Sequence, residues 1–150
     1  MKVKEIMTTD VLTLPLNTTL IKAAKFLATH NISGAPVVNQ KGELIGLVSE
    51  KDIFKALYPT HAEFYESPGV WIDLDSLEDK TRAAADKPVD EFMSKEVVTV
   101  NADASLMQVG SIMLVRGIHR VVIIGQDNRI EGIVTRRDIY QKILKKSLKI

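Results

Sequence analysis

Two stretches of this chain repeat one another: GLVSEKDIF at Gly46–Phe54 and GIVTRRDIY at Gly132–Tyr140. Each opens on an apolar, partly β-branched run suited to a strand, then changes at Ser49 or Thr135 to the spacing of a helix. Working outward from them, the likeness widens. With Val3 laid on Val89, Glu5 meets Glu91, Met7 meets Met93, Thr13 meets Thr99, Leu20 meets Leu106, Ile32 meets Ile118 and Asp52 meets Asp138, all without a gap. The register fades after Leu57 and Ile143. One offset that matches glycine, aspartate and apolar positions together marks an internal duplication. The copies occupy 1–57 and 89–150, with an insert at 58–88. Two copies are too few for a solenoid, so a closed pseudo-twofold pair is expected, each copy burying a face the other leaves open.

Each copy reads as β-α-β-β-α, which makes the chain α/β. A helical turn (Val3–Met7, Val89–Met93) precedes a short strand (Val11–Leu14, Val97–Val100). Asn17 or Thr18, and Asp103, are N-cap candidates for the next helix. That helix carries Leu20, Ala23, Ala24 and Leu27 in one copy and Leu106, Val109, Ile112 and Met113 in the other. Asn31 and Gly117 stand where a left-handed residue stops a helix. Strands follow at Ala35–Val38 and Arg120–Ile124, then turns at Lys41-Gly42 and Asp127-Asn128. Third strands at Leu44–Ser49 and Ile130–Thr135 run directly into helices beginning at Glu50 and Arg136. The insert gathers Tyr58, Phe64, Tyr65 and Trp71, with a turn expected at Ser67-Pro68-Gly69 and a helix over Leu74–Asp86. It is expected to cover apolar helix surface of its own module, with a subunit or partner contact as the alternative. The basic KILKKSLKI stretch reads as a frayed helix end.

Composition narrows the function. The chain is 45% hydrophobic with a net charge of +1, so a core is available and no basic footprint for nucleic acid stands out. The absence of cysteine removes disulfide frameworks and zinc-thiolate sites. No apolar run has the length of a signal peptide or membrane span, and a soluble cytoplasmic protein is expected. The sequence has no nucleophile elbow, P-loop or His-x-x-x-His pair, so neither a catalytic residue nor a metal site is assigned, and an enzyme is not expected.

The strand-to-helix junctions are where ligand chemistry fits. A helix N-terminus offers unpaired N–H groups and a positive partial charge. Ser49 and Thr135 can add a hydroxyl there, and Asp52 and Asp138, one turn on, can accept ribose hydroxyls. The same residues also make ordinary helix caps, and from these motifs alone both readings stay open.

The order of the blocks decides more than any one of them. The opening V-x-E/K-x-M block, the V-x-T strand, ISGAPVV and IHRVVII, and the G-h-V-[ST]-x-x-D junction, each present twice, together resemble the cystathionine-β-synthase-type (CBS) domain, and the pair resembles a Bateman module. The resemblance covers nearly all of the chain except the insert. It implies a regulatory or sensor module that binds AMP, ADP, ATP, S-adenosylmethionine or a related adenosyl ligand between the repeats and signals to a separate partner protein. A ligand-independent dimeric scaffold is the alternative. Carried over by position, the aspartate holding ribose is Asp52 or Asp138, with Ser49 or Thr135 near phosphate. Ser33, Gly34, Ala35 and Pro36, or His119, Arg120, Val121 and Val122, stand at the base slot, with Thr13 and Thr99 near the base. Arg136 and Arg137 join His119 and Arg120 around the second junction, where copy one has the less cationic Ser33, Gly34, Glu50 and Lys51. A phosphorylated ligand is therefore expected at the Asp138 site. The resemblance also implies a homodimer; the family sometimes serves as a nucleic-acid-associated regulator, but the balanced charge counts against a nucleic-acid partner here, and no membrane span is expected.

Overall fold

The computed structural model describes residues 1–58, 61–66, 69 and 74–150. Their order is β1 (Leu14–Pro15), α1 (Leu20–Thr29), β2 (Gly34–Val38), β3 (Leu44–Ser49), α2 (Glu50–Leu57), α3 (His61–Glu66), α4 (Leu74–Ala84), β4 (Thr99–Val100), α5 (Leu106–Arg116), β5 (Arg120–Ile124), β6 (Ile130–Thr135) and α6 (Arg136–Ser147). Each copy therefore has one three-stranded sheet, in the order β1-β2-β3 or β4-β5-β6, and its own helices. The first strand of each sheet pairs parallel to the second, Leu14 with Val37 and Thr99 with Val122. Parallel pairing follows from the helical crossover between them. β5 and β6 are antiparallel, with Arg120 opposite Thr135 and Val122 opposite Ile133.

Third strands and final helices begin where the sequence places them. The first strands are shorter and later than expected, and the caps of α1 and α5 are Thr19 and Ser105, not Asn17, Thr18 or Asp103. Each cap hydroxyl accepts an amide of the first turn, from Lys22 at 3.4 Å and Gln108 at 3.0 Å. Thr18 instead turns its hydroxyl to the Pro15 carbonyl at 2.6 Å. α1 and α5 stop as expected, at Asn31 (φ 52°) and Gly117 (φ 63°). Helix α6 continues through Ser147, so the KILKKSLKI stretch holds the end of that helix. Within the insert, Ser67, Pro68 and Trp71 lie outside the described residues. α4 lies against α2, and Lys80 donates to the Tyr58 carbonyl at 2.9 Å, satisfying an orphan acceptor at the end of that helix.

The chain divides into two compact units that do not follow the copies. One, the α1–α2 unit, comprises 13–40 and 45–95; the other, the α5–α6 unit, comprises 1–12, 41–44 and 96–150. The opening segment of each copy thus belongs with the body of the other. In the α5–α6 unit, Val3 donates to Ala104 at 2.8 Å, Leu106 donates to Met1 at 2.9 Å, and Thr8 exchanges two backbone hydrogen bonds with Ile133. The α1–α2 unit repeats this with Val89 to Thr18 and Leu20 to Lys87, both at 2.8 Å, and with Ser94 exchanging two bonds with Leu47. The methionine of each opening segment lies over a glycine of the third strand, Met7 on Gly132 and Met93 on Gly46.

Each unit closes one apolar core. Leu14, Leu20, Ala23, Leu27, Val37, Val48 and Ile53 form one, joined by Val89 from the other copy's opening and Ala84 from α4. Val3 joins Leu106, Val109, Met113, Val121, Ile123, Val134 and Ile139 in the other. Lys2 and Lys4 pair with Asp103 at 3.1 and 2.9 Å. Hydrogen bonding to these ammonium groups holds the Asp103 carboxyl below the usual carboxylate range. The sign is that of a depressed acid: the contribution is present at neutral pH and is lost as pH falls through the shifted value. At full exposure it is slight.

The β5–β6 turn is set by two left-handed residues, Asp127 (φ 57°) and Asn128 (φ 56°), and the Asn128 amide donates to the Leu44 carbonyl at 2.7 Å. Asn128→Ala loses both that bond and asparagine's tolerance of the left-handed region, a cost of about 1–3 kcal/mol. Asn128→Gly keeps the backbone and loses only the bond. Urea unfolding of the two variants should rank them in that order; equal midpoints would show that the side-chain bond carries the whole effect.

Candidate functional site

The two junctions are built alike, bond for bond. Ser49 donates its N–H to Asp52 Oδ2 at 2.8 Å and its hydroxyl to the same oxygen at 2.9 Å, while the Asp52 N–H donates back to Ser49 Oγ at 3.3 Å. Thr135 and Asp138 repeat this at 2.8, 2.7 and 3.2 Å. These are capping boxes closed by aspartate at the third helical position. The first amide of each helix is also taken, Glu50 by the Ser33 carbonyl at 2.9 Å and Arg136 by the His119 carbonyl at 2.8 Å. Those bonds draw the residue preceding the second strand to the first residue of the final helix, Ser33 to Glu50 and His119 to Arg136.

This changes what the junction can offer a ligand. The hydroxyl of Ser49 or Thr135 is already engaged with the aspartate. The Oδ2 oxygen of that aspartate accepts two hydrogen bonds, whereas Oδ1 of Asp52 and of Asp138 accepts none among the described residues. All four side chains are half-buried. Each junction therefore holds a fixed carboxylate with one oxygen committed to the fold and one open.

Strand register identifies the residues that share a sheet face with Ser49 or Thr135. Directly paired residues share a face of a sheet, and neighbours along a strand alternate. Val121, Ile123 and Val134 face the α5–α6 core. Arg120, Val122, Ile133 and Thr135 therefore face the other way, and Thr99, paired with Val122, joins them. In the α1–α2 unit, Ala35, Val37 and Val48 face the core, which leaves Gly34, Pro36, Leu47 and Ser49 on the opposite face, with Thr13 beside them by alternation from Leu14. Of the expected site residues, Thr13, Ser33, Pro36, Ser49 and Asp52 thus come together in one unit, and Thr99, His119, Arg120, Thr135 and Asp138 in the other. Arg136 and Arg137 lie exposed at the first turn of α6. Ala35, Pro36, Val121 and Val122 are all fully buried, so none of these four expected site residues presents surface to a ligand.

Two residues escaped the sequence reading. Thr8 is paired with Ile133 and Ser94 with Leu47, which puts a further hydroxyl residue on the same face as Thr135 or Ser49. The available signal was that these matched positions both carry hydroxyls. A shallow depression of about 740 Å³ is lined by Thr99 together with Asn101, Asp103, Ser105, Gln108 and Gly125, and by neither Asp138 nor Arg120. Among the described residues no cluster of three or more acids and histidines is placed to hold a metal, and no helix is long and apolar enough to cross a membrane.

The CBS domain family model matches residues 3–59 and 89–145. The CBS domain pair of protein MJ0100, solved in complex with 5′-methylthioadenosine and S-adenosyl-L-methionine, is 27% identical, with a TM-score of 0.74 over 97% of this chain and 98% of that one. The CBS domain of a CBS domain containing membrane protein from Sphaerobacter thermophilus is 31% identical, with a TM-score of 0.72, covering 93% of this chain and 86% of that one. Inosine-5′-monophosphate dehydrogenase from Methanocaldococcus jannaschii is 28% identical over 141 residues, which span 94% of this chain but only 23% of the enzyme.

Proposed function

Because this chain belongs to the CBS domain family, with one domain in each copy, we propose that it is a regulatory module that binds an adenosyl ligand at its strand-to-helix junctions and acts on a partner protein. The observation that carries the reading is the divided aspartate. A carboxylate that served only as a cap would need no particular surroundings for its second oxygen. Here Oδ1 is held still by the bonds at Oδ2, beside a sheet face that offers hydroxyls and apolar surface. In the α5–α6 unit that face holds Thr8, Thr99, Val122 and Ile133. Asp138 Oδ1 accepts ribose hydroxyls, and the half-buried Ile133 gives an adenine ring apolar surface.

The two junctions divide ligands by charge. His119, Arg120, Arg136 and Arg137 surround the second, and guanidinium groups suit phosphate. Ser33, Gly34, Glu50 and Lys51 occupy the same places around the first, a less cationic set that suits adenosyl ligands without phosphate. AMP and ATP are accordingly proposed for the Asp138 junction, and 5′-methylthioadenosine or S-adenosylmethionine, the ligands of the MJ0100 domain pair, for the Asp52 junction. Equilibrium dialysis with each of the four, on wild type and on Arg120→Gly, tests this. Arg120→Gly copies the residue at the matched position of the first copy, and it should weaken AMP and ATP about tenfold or more, one charge-assisted hydrogen bond's worth, while leaving the other two unchanged. Equal loss for all four would sink the division by charge. No turnover of any of them is expected.

A second copy of the chain is the proposed partner for apolar residues that remain exposed on the helices, among them Phe54, Met107, Leu114 and Tyr140. That observation would also favour a scaffold that dimerises without ligand, should all four ligands fail to bind.

A further inference from the structure

We propose that Met7 and Met93 are a matched pair of reversible oxidation sites, at which a hydroperoxide loosens the strands that lead into the two junctions. The oxidation and its effect on stability stand on the fold alone; the loss of ligand that follows rests on the proposed ligand role of the junctions.

The two methionines stand at matched positions of the duplication, and their sulfurs are placed alike. Sδ is the atom that a methyl group on the glycine beneath would meet first, Met7 on Gly132 in one unit and Met93 on Gly46 in the other. Each side chain is half-buried and packs against the apolar core of its own unit. The amides that flank each seat are spent, those of Thr8 and Ile133 on each other's carbonyls and those of Ser94 and Leu47 likewise. A thioether suits such a place, being apolar and flexible. A sulfoxide does not. Its oxygen is a polar acceptor on a pyramidal sulfur. The seat gives it no room over the glycine and no free flanking amide, and a polar group left without a partner in apolar surroundings is costly. The oxidised side chain therefore leaves the glycine, and the opening segment loses part of its hold on the third strand. The bonded residues Ile133 and Leu47 lie two places before Thr135 and Ser49, so the loosening reaches both capping boxes.

The chemistry needs only an outside peroxide. A sulfur lone pair attacks one peroxide oxygen, the O–O bond breaks and an S–O bond forms. With hydrogen peroxide, the displaced hydroxide takes the proton of the transferred oxygen and leaves as water. The sulfur gives up two electrons and the peroxide accepts them. No thiol competes, since the chain has no cysteine. Access then sorts the five methionines, because oxidation follows exposure. Met107 and Met1 are exposed by 78% and 46%, Met7 and Met93 are half-buried, and Met113 is only 2% exposed. An oxidised Met107 stays in water and disturbs little, and Met113 is out of reach in the folded chain. The middle pair is both reachable and seated.

The test treats the chain with graded hydrogen peroxide, removes the peroxide, and assigns each sulfoxide by peptide mass spectrometry. The thermal midpoint and AMP affinity are measured on the same samples. Met1 and Met107 should oxidise first with the midpoint unchanged. Met7 and Met93 should follow, and the midpoint should fall by several degrees in step with them, with AMP binding weakened several-fold. A Met7→Leu, Met93→Leu chain keeps the volume and polarity of both seats, so it should start near the wild-type midpoint and hold it at the same dose. Methionine sulfoxide reductases of both epimer specificities should restore the oxidised wild type; no recovery overturns the reversibility. Met7 and Met93 oxidising as slowly as Met113, a midpoint that falls with Met107, or an equal fall in the leucine variant overturns the sites. AMP affinity unchanged after oxidation overturns the link to the junctions. Should AMP fail to bind the untreated chain, the ligand reading falls instead, and the midpoint still decides the oxidation sites.

Discussion

Asp138→Ala should remove nearly all of the stabilisation that AMP confers on this chain, while Asp52→Ala leaves most of it in place. At 100 times its dissociation constant a ligand adds about 2.7 kcal/mol to the folded state, which for a chain of this size raises the unfolding midpoint by about 5–10 °C. Truncating Asp138 also breaks a capping box, so the unliganded midpoint falls too, by an amount worth about 0.5–2 kcal/mol. The quantity to compare is therefore the AMP-induced shift within each variant. Asp138→Asn separates the two roles, because its amide oxygen still accepts the Thr135 N–H while the open side of the group loses its charge. Its unliganded midpoint should lie near wild type and its AMP shift near zero. A full AMP shift in Asp138→Asn would show that the junction is a cap and nothing more.

The second large effect lies away from the ligand. A methyl group on Gly132 would sit 2.5 Å from Met7 Sδ, 2.8 Å from its Cγ and 3.1 Å from the backbone oxygen of Thr8. The thioether can swing aside; the carbonyl cannot, because the Thr8 backbone is bonded to Ile133. Gly132→Ala is expected to destabilise by about 1–3 kcal/mol. Gly46→Ala, whose three nearest contacts are all Met93 side-chain atoms, should cost less. In a Met7→Ala background the Gly132→Ala penalty should shrink but not vanish, a coupling that a double-mutant cycle in urea measures directly. Strict additivity would mean that Met7 does not seat on Gly132.

What was legible in the sequence was local. Third strands and final helices were placed to the residue because a β-branched run ended at a Ser or Thr followed three positions on by Asp, a pattern with one good backbone solution. The first strands were read two residues too long, and they begin two or three residues later than expected. Only Leu14–Pro15 and Thr99–Val100 pair with their neighbours, and an apolar run does not announce where its partner ends. The helix caps slipped by one or two places because adjacent hydroxyl and carboxyl residues compete, and what settled Thr18 was the Pro15 carbonyl within reach. The pairings of Thr8 with Ile133 and Ser94 with Leu47 were not readable. They join residues far apart in sequence by main-chain bonds, which leave no side-chain signature, and so Thr8 and Ser94 were missed at the site.

That exchange of opening segments bears on how such a chain arose. A gene encoding a single copy would produce a polypeptide whose opening segment has nowhere to dock except on another molecule. Two identical chains trading those segments would each be complete, as in any domain swap. Duplication then need only have tethered a pair that already existed, with 58–88 as the tether. By the same logic, cleavage within the tether leaves two fragments that must find each other again before either has a whole core, and expressing one copy alone is a test of a fragment and not of a domain.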